Sequence, residues 1–185
     1  TGQKPSVLDE TALESPEKRK KLIFCATWGK SALLEQLHQK GIWKEQQIAG
    51  KREVFSIQLL ENPFPGVEQA LVIAGSDKRG TIYGMFHLSE YLGVTPLVYW
   101  GDAAPAKNPQ AEIREDICCV SREPSVKYRG FFINDEWPCF GNWVNEHFGG
   151  FCADAYRYVF EFLLRMKGNY LWPAMWTSSF PLDGP

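Results

Sequence analysis

Apolar and polar positions follow two different periods along this chain. The run LIFCAT, residues 22–27, is short and apolar, a turn of Trp28, Gly29, Lys30 and Ser31 follows, and ALLEQLHQKG then sets Leu33, Leu34 and Leu37 on one helical face before Gly41. The pattern predicts strand, turn, helix. Two more strands are predicted over residues 53–62 and 68–76, separated by the turn PFPG. KRGTIYGMFHLSEYLG then carries Ile82, Met85, Phe86, Leu88 and Leu92 at near-helical spacing and ends at Gly93. Together these elements predict a small α/β layer domain. Residues 101–110, GDAAPAKNPQ, have little to bury and predict a connecting loop, and AEIREDICCVSR after them alternates like a half-exposed strand.

A second region begins with FFIN at residues 131–134. The clearest helix runs over residues 154–167, where Ala155, Val159, Phe162, Leu163 and Met166 share a face, Asp154 can cap the start and Gly168 suits a left-handed stop. NYLWPAMW behind it is another short apolar run. About 35 residues separate the end of FFIN from NYLW, a length that suits a right-handed strand-helix-strand crossover and two neighbouring parallel strands. Such a pair alone leaves an open apolar sheet, so the second domain reads as cut short at Pro185. The missing initiator Met likewise points to residues upstream of Thr1.

Charge removes two classes of partner. The 185 residues carry 20 basic and 22 acidic side chains, a net charge of -2, spread along the chain, so nothing marks a nucleic-acid or anionic-membrane surface. The basic cluster EKRKK at residues 17–21 reads as a solvated strand entrance. No apolar run reaches the ~20 residues a membrane span needs, and TGQKPSVLDE lacks the plan of a secretory signal. The five cysteines, Cys25, Cys118, Cys119, Cys139 and Cys152, are odd in number and form no C-x-x-C pair, so buried free thiols are expected rather than a zinc site or disulfides. No metal or cofactor is expected.

Two glycine-containing loops invite a phosphate reading. In ATWGKS the position of the required first glycine is Phe24, so a turn with Ser31 capping the helix suffices. AGSDKRGTIYG lacks the G-x-G-x-x-G order; Asp77 suits a cap, Lys78 and Arg79 an exposed rim, and an anion site is the alternative. His38, His87 and His147 fall in a helix, another helix and a loop, which assembles no Ser-His-Asp or Cys-His set. A nucleotide-dependent enzyme built on the first hundred residues would need a phosphate loop that is absent.

FFINDEWP differs from these. Directly after apolar residues it presents Asn134, Asp135, Glu136 and Trp137, and in an α/β barrel the C-terminal ends of parallel strands line the site. An extended strand would put Asn134 and Glu136 on one face and Asp135 on the other; capping of the next turn is the alternative for the carboxylates. NYLWPAMWTSSF ends in the same way, with Pro173 closing the ladder and Met175, Trp176, Thr177 and Ser178 beyond it. Five of the seven tryptophans lie in the second half, and aromatics beside amide and carboxylate groups are what a carbohydrate subsite needs, packing of Trp172 and Trp176 as a cap being the alternative. Hydrolysis at a sugar calls for carboxylates, usually a pair.

The blocks LVIAGSDKRGTIYGMFHLSEYLGVTPLVYWGD, SVKYRGFFINDEWP, NWVNEHFGG and VFEFLLRMKGNYLWPAMWTSSF resemble glycoside hydrolase family 115, the xylan α-1,2-glucuronidases. The resemblance implies an α/β protein: an N-terminal α/β domain over residues 1–120 and, over 121–185, the first strands and helix of a truncated (β/α)8 TIM barrel. It implies an internal fragment of an enzyme that removes glucuronic acid or its 4-O-methyl ether from glucuronoxylan with inversion and without a cofactor, this segment alone being inactive. Asn134 and Asp135 would line the glucuronate pocket at the end of the first barrel strand, with Glu136 adjoining and Trp176 stacking near the sugar. The catalytic acid and base would come from later strands. The implied partners are glucuronoxylan or aldouronic acid oligosaccharides, with room for a homodimer of the full-length parent, and the substrate implies an extracellular or periplasmic location. A different class of function is a truncated paralogue that binds uronic-acid sugars, or another partner, without cleaving them.

Overall fold

A computed structural model describes residues 4–9, 19–101 and 104–183. The chain is α/β throughout and divides into two compact units, residues 1–95 with 105–125, and residues 96–104 with 126–185. Relative to a division after residue 120, two stretches lie on the other side. Residues 96–104 go with the second unit, where the Trp100 ring lies 4.6 Å from Trp143 and Tyr99 4.8 Å from Tyr158. Residues 121–125 go with the first, where Ser121 closes on Phe55 through its hydroxyl and its amide.

In the first unit β1 (Arg19–Thr27), α1 (Ala32–Gln39), β2 (Phe55–Glu61), β3 (Val67–Gly75), α2 (Lys78–Tyr91) and β4 (Cys119–Val120) form a four-stranded sheet of order β1-β3-β2-β4. β1 runs parallel to β3, and β2 antiparallel to both β3 and β4. Of the basic cluster, residues 17 and 18 lie outside the described residues, and Lys21 is exposed on β1. The expected strand over 111–122 is much shorter. Only Cys119 and Val120 pair, with Ile57 and Ser56, and a 3-10 turn over Glu115–Ile117 buries Ile117 just before them.

One face of the sheet buries Phe24, Ala26, Val72 and Ala74 with Leu34, Leu37, Trp43, Ile48 and Val54. α2 covers β3 on the other face, and Gly84 allows it, because a Cβ there would lie 2.5 Å from Ile73 Cγ2. Ser31 caps α1 by accepting from Leu34 N at 3.2 Å. Asp77 caps α2, accepting from Gly80 N with one oxygen and from Glu53 N with the other, each at 2.8 Å. Arg79 does more than line a rim: its Nε lies 2.6 Å from the buried carboxylate of Glu53. The loop's carboxylate is therefore bound within the fold, and its arginine, with a side chain 53% exposed, covers the buried Glu53 from the surface.

The second unit holds β5 (Gly130–Phe132), α3 (Phe140–Phe148), α4 (Ala153–Arg165), β6 (Tyr170–Trp172) and a short α5 (Phe180–Asp183). β5 and β6 pair in parallel, Gly130 opposite Tyr170 and Phe132 opposite Trp172. α4 packs Phe162 5.6 Å from Phe131. Its N-cap is Cys152, and Asp154 sits in the first turn, where a carboxylate favours the helix dipole without capping it. The left-handed residue at its end is Lys167 (φ 57°), while Gly168 is needed for space, since a Cβ would meet Leu163 Cδ1 at 2.5 Å. His147 lies in the last turn of α3, which the sequence pattern did not predict. None of the five free cysteines is buried: Cys25 lies on the edge strand β1 beside exposed Ile23, Cys119 lies on β4, and the other three sit at turns and helix starts.

Candidate functional site

β5 and β6 end side by side, and the ladder continues one bond further, Ile133 N donating to Trp172 O at 3.0 Å. Beyond it β5 leads into residues 134–137 and β6, past Pro173, into residues 174–178. The four candidate residues sit on these two extensions, and the structure sorts them into an inner and an outer set.

Asp135 is the inner one, with no accessible surface. Its Oδ1 accepts from Trp176 N at 3.1 Å, and its Oδ2 from Thr177 N, Thr177 Oγ1 (2.9 Å), Ser178 N (2.9 Å) and Ser178 Oγ (3.1 Å). Burial alone would push this carboxyl up, but the donors from Thr177 and Trp176 outweigh it and hold the group at about 2, below the ordinary 3.8. A depressed folded-state value means that the contribution of Asp135 to stability is complete above pH 3.8 and lost as pH falls through about 2. A carbon-detected NMR titration of the Asp135 carboxyl is expected to show a midpoint near 2; a midpoint at 3.8 would contradict the burial and bonding described.

Asn134 and Glu136 form the outer set. Asn134 Nδ2 donates to Glu136 Oε1 at 2.8 Å, and Asn134 Oδ1 accepts from the Asp135 amide at 3.0 Å, a local bond made just past the end of the strand. The alternation expected of an extended segment thus persists: Asn134 and Glu136 meet each other, and Asp135 points away into the protein. The Trp176 side chain is 74% exposed although its amide is bound by Asp135. Trp137, also exposed, lies against α3, where a Cβ on Gly141 would meet its ring at 2.6 Å.

Tyr156, on α4, is a neighbour that the sequence did not mark. It is buried, with Phe180 edge-on at 4.8 Å; burial pushes its phenol up, and the Asp135 charge adds to that. In sequence it looks like one more apolar residue of the α4 face. A cavity of about 360 Å³ lies elsewhere in this unit, between Tyr99, Phe148, Asp154, Arg157, Tyr158 and Glu161, and none of the four candidates lines it. Among the described residues no cluster of His, Cys, Asp and Glu could hold a metal ion, and no helix is long and apolar enough to cross a membrane.

This pair of strand ends lies wholly within the segment for which known proteins give a match. Residues 121–185 match Glycosyl hydrolase family 115. Among solved structures, the family 115 4-O-methyl-α-glucuronidase BtGH115A, which has specificity for decorated arabinogalactans, is 33% identical to this chain with a TM-score of 0.68. The superposition covers 83% of this chain, so the likeness to a family 115 protein extends into the first unit, and 20% of BtGH115A. The chain thus spans about a fifth of that relative's length. No curated protein matches. Both findings support family 115.

Proposed function

We propose that this chain is a segment of a family 115 glycoside hydrolase that removes glucuronic acid or its 4-O-methyl ether from a decorated polysaccharide, with glucuronoxylan as the substrate. The observation that carries the reading is the family match over residues 121–185, which takes in both strand ends. β5 and β6 are read as the first two strands of a (β/α)8 barrel, whose strand C-termini form the site. On this reading Asn134, Asp135, Glu136 and Trp176 belong to the uronic-acid pocket: amide and carboxylate groups for adjacent hydroxyls, and an exposed indole as a stacking plane. The reaction is read as inverting. One carboxylic acid protonates the leaving sugar oxygen while a carboxylate on the opposite face activates water, both supplied by barrel strands outside residues 1–185, and neither step calls for a cofactor. A polymeric substrate of this kind places the enzyme outside the cell or in the periplasm.

The test is NMR of glucuronoxylan and of a glucuronate-decorated arabinogalactan incubated with the full-length protein that contains this chain. Release of uronic acid that appears first as the β-anomer is expected. First appearance of the α-anomer would overturn inversion, and no release from either polysaccharide would overturn the hydrolase reading.

A further inference from the structure

We infer that Asp135 is a positioning residue: its carboxylate is the anchor around which residues 176–178 fold, and it acts on a sugar only by fixing Trp176, while Asn134 and Glu136 are the groups of this strand end that meet hydroxyls. The inference rests on the proposed uronic-acid pocket and changes the part Asp135 plays in it. A carboxylate has about four lone-pair sites. Five donors already converge on Asp135, three of them successive backbone amides that make a nest of the kind that binds anions. Four of the five donors fall on Oδ2 and one on Oδ1, and with no accessible surface the group has no room to take a substrate hydroxyl. Trp176 and Glu136 are exposed, and Asn134 is half-buried. The buried anion and the exposed indole are joined through one residue, since the Trp176 amide is itself a donor to Asp135.

The experiment has two arms on the same proteins: the full-length protein that contains this chain, unaltered, with Asp135→Asn, with Trp176→Ala and with both. Without sugar, the amide protons of Trp176, Thr177 and Ser178 are expected to be shifted downfield and slow to exchange in the unaltered protein and to lose both properties in Asp135→Asn, because an Asn side chain replaces a charged acceptor by an amide that also donates. With glucuronic acid, the product of the proposed reaction, followed by NMR, each single variant is expected to bind about tenfold more weakly and the double variant about tenfold as well, since both changes remove the same stacking plane. A loss of about a hundredfold in the double variant would mean that Asp135 touches the sugar independently and would overturn the inference. Unchanged amides in Asp135→Asn would overturn it whatever the sugar does. Should the unaltered full-length protein bind no uronic-acid sugar while the amides respond as expected, the anchor stands and the proposed pocket falls. If Asp135→Asn does not fold, Thr177→Val combined with Ser178→Ala removes two donors and leaves the carboxylate; a two- to fivefold weakening that vanishes in the Trp176→Ala background is then expected, and a weakening that persists there overturns the inference.

Discussion

Gly130→Ala is expected to part the two strands of the second unit and to cost about 3 kcal/mol or more. Gly130 stands opposite Tyr170 in the β5–β6 pair, and a Cβ added to it would fall on the backbone carbonyl of Tyr170. Overpacking is mild when a side chain can swing aside. Here the obstacle is the partner strand itself, so the strand must move and the ladder around it must open. The bonds at risk are Tyr170 N to Arg129 O at 3.1 Å, Ile133 N to Trp172 O at 3.0 Å and Arg129 N to Asn169 Oδ1 at 2.9 Å. Because β5 leads to Asp135 and β6 to its donors, the same movement would pull the carboxylate away from residues 176–178. The measurement is a urea midpoint followed by near-ultraviolet circular dichroism, with exchange of the Ile133 amide as a local probe. An unchanged midpoint with Ile133 still protected would refute the packing described.

The elements that the sequence reveals are those whose own residues decide them. EQALVIAG reads as a strand because β3 is central and covered on both faces, which turns alternation into a continuous apolar run, and LIFCAT reads as one because it is apolar on both faces although β1 is an edge strand with Ile23 exposed. Ser31 and Asp77 read as caps because the amides that donate to their side chains are three residues away. α3 stays hidden because FGNWVNEHF mixes weak helix formers with a buried set of only Gly141 and Val144. ICCV looks like a strand, yet its extent depends on a partner, and β2 offers pairing to two residues only. The candidate site divides in the same way. Strand alternation separates Asp135 from Asn134 and Glu136, but which face is buried follows from donors some forty residues later in the chain, and no local pattern reports them. The fold-level likeness to family 115 is legible for the opposite reason: it is carried by long blocks rather than by the spacing of a few residues.

Trp43→Ala is expected to be the most damaging truncation in the first unit, at about 3–5 kcal/mol. Trp43 is fully buried among Leu34, Leu37, Ile48 and Val54, with its ring 5.3 Å from Trp28. The chain reaches that position by folding back over the end of α1, where Ile42 N and Trp43 N both donate to Leu37 O, at 3.0 and 3.2 Å. Removing the indole therefore leaves a cavity beneath a turn held by two bonds to one carbonyl, with little freedom to collapse. Part of what the ring contributes is offset, because its Nε1 has no hydrogen-bond partner among the described residues, and an unpaired buried donor costs about 1–3 kcal/mol. Trp43→Phe removes that donor together with some of the volume, so its expected cost is about 1 kcal/mol or less. Denaturant unfolding followed by far-ultraviolet circular dichroism separates the two variants without relying on tryptophan emission. A phenylalanine variant as unstable as the alanine one would mean that the indole N–H, rather than the ring, holds this turn against the sheet.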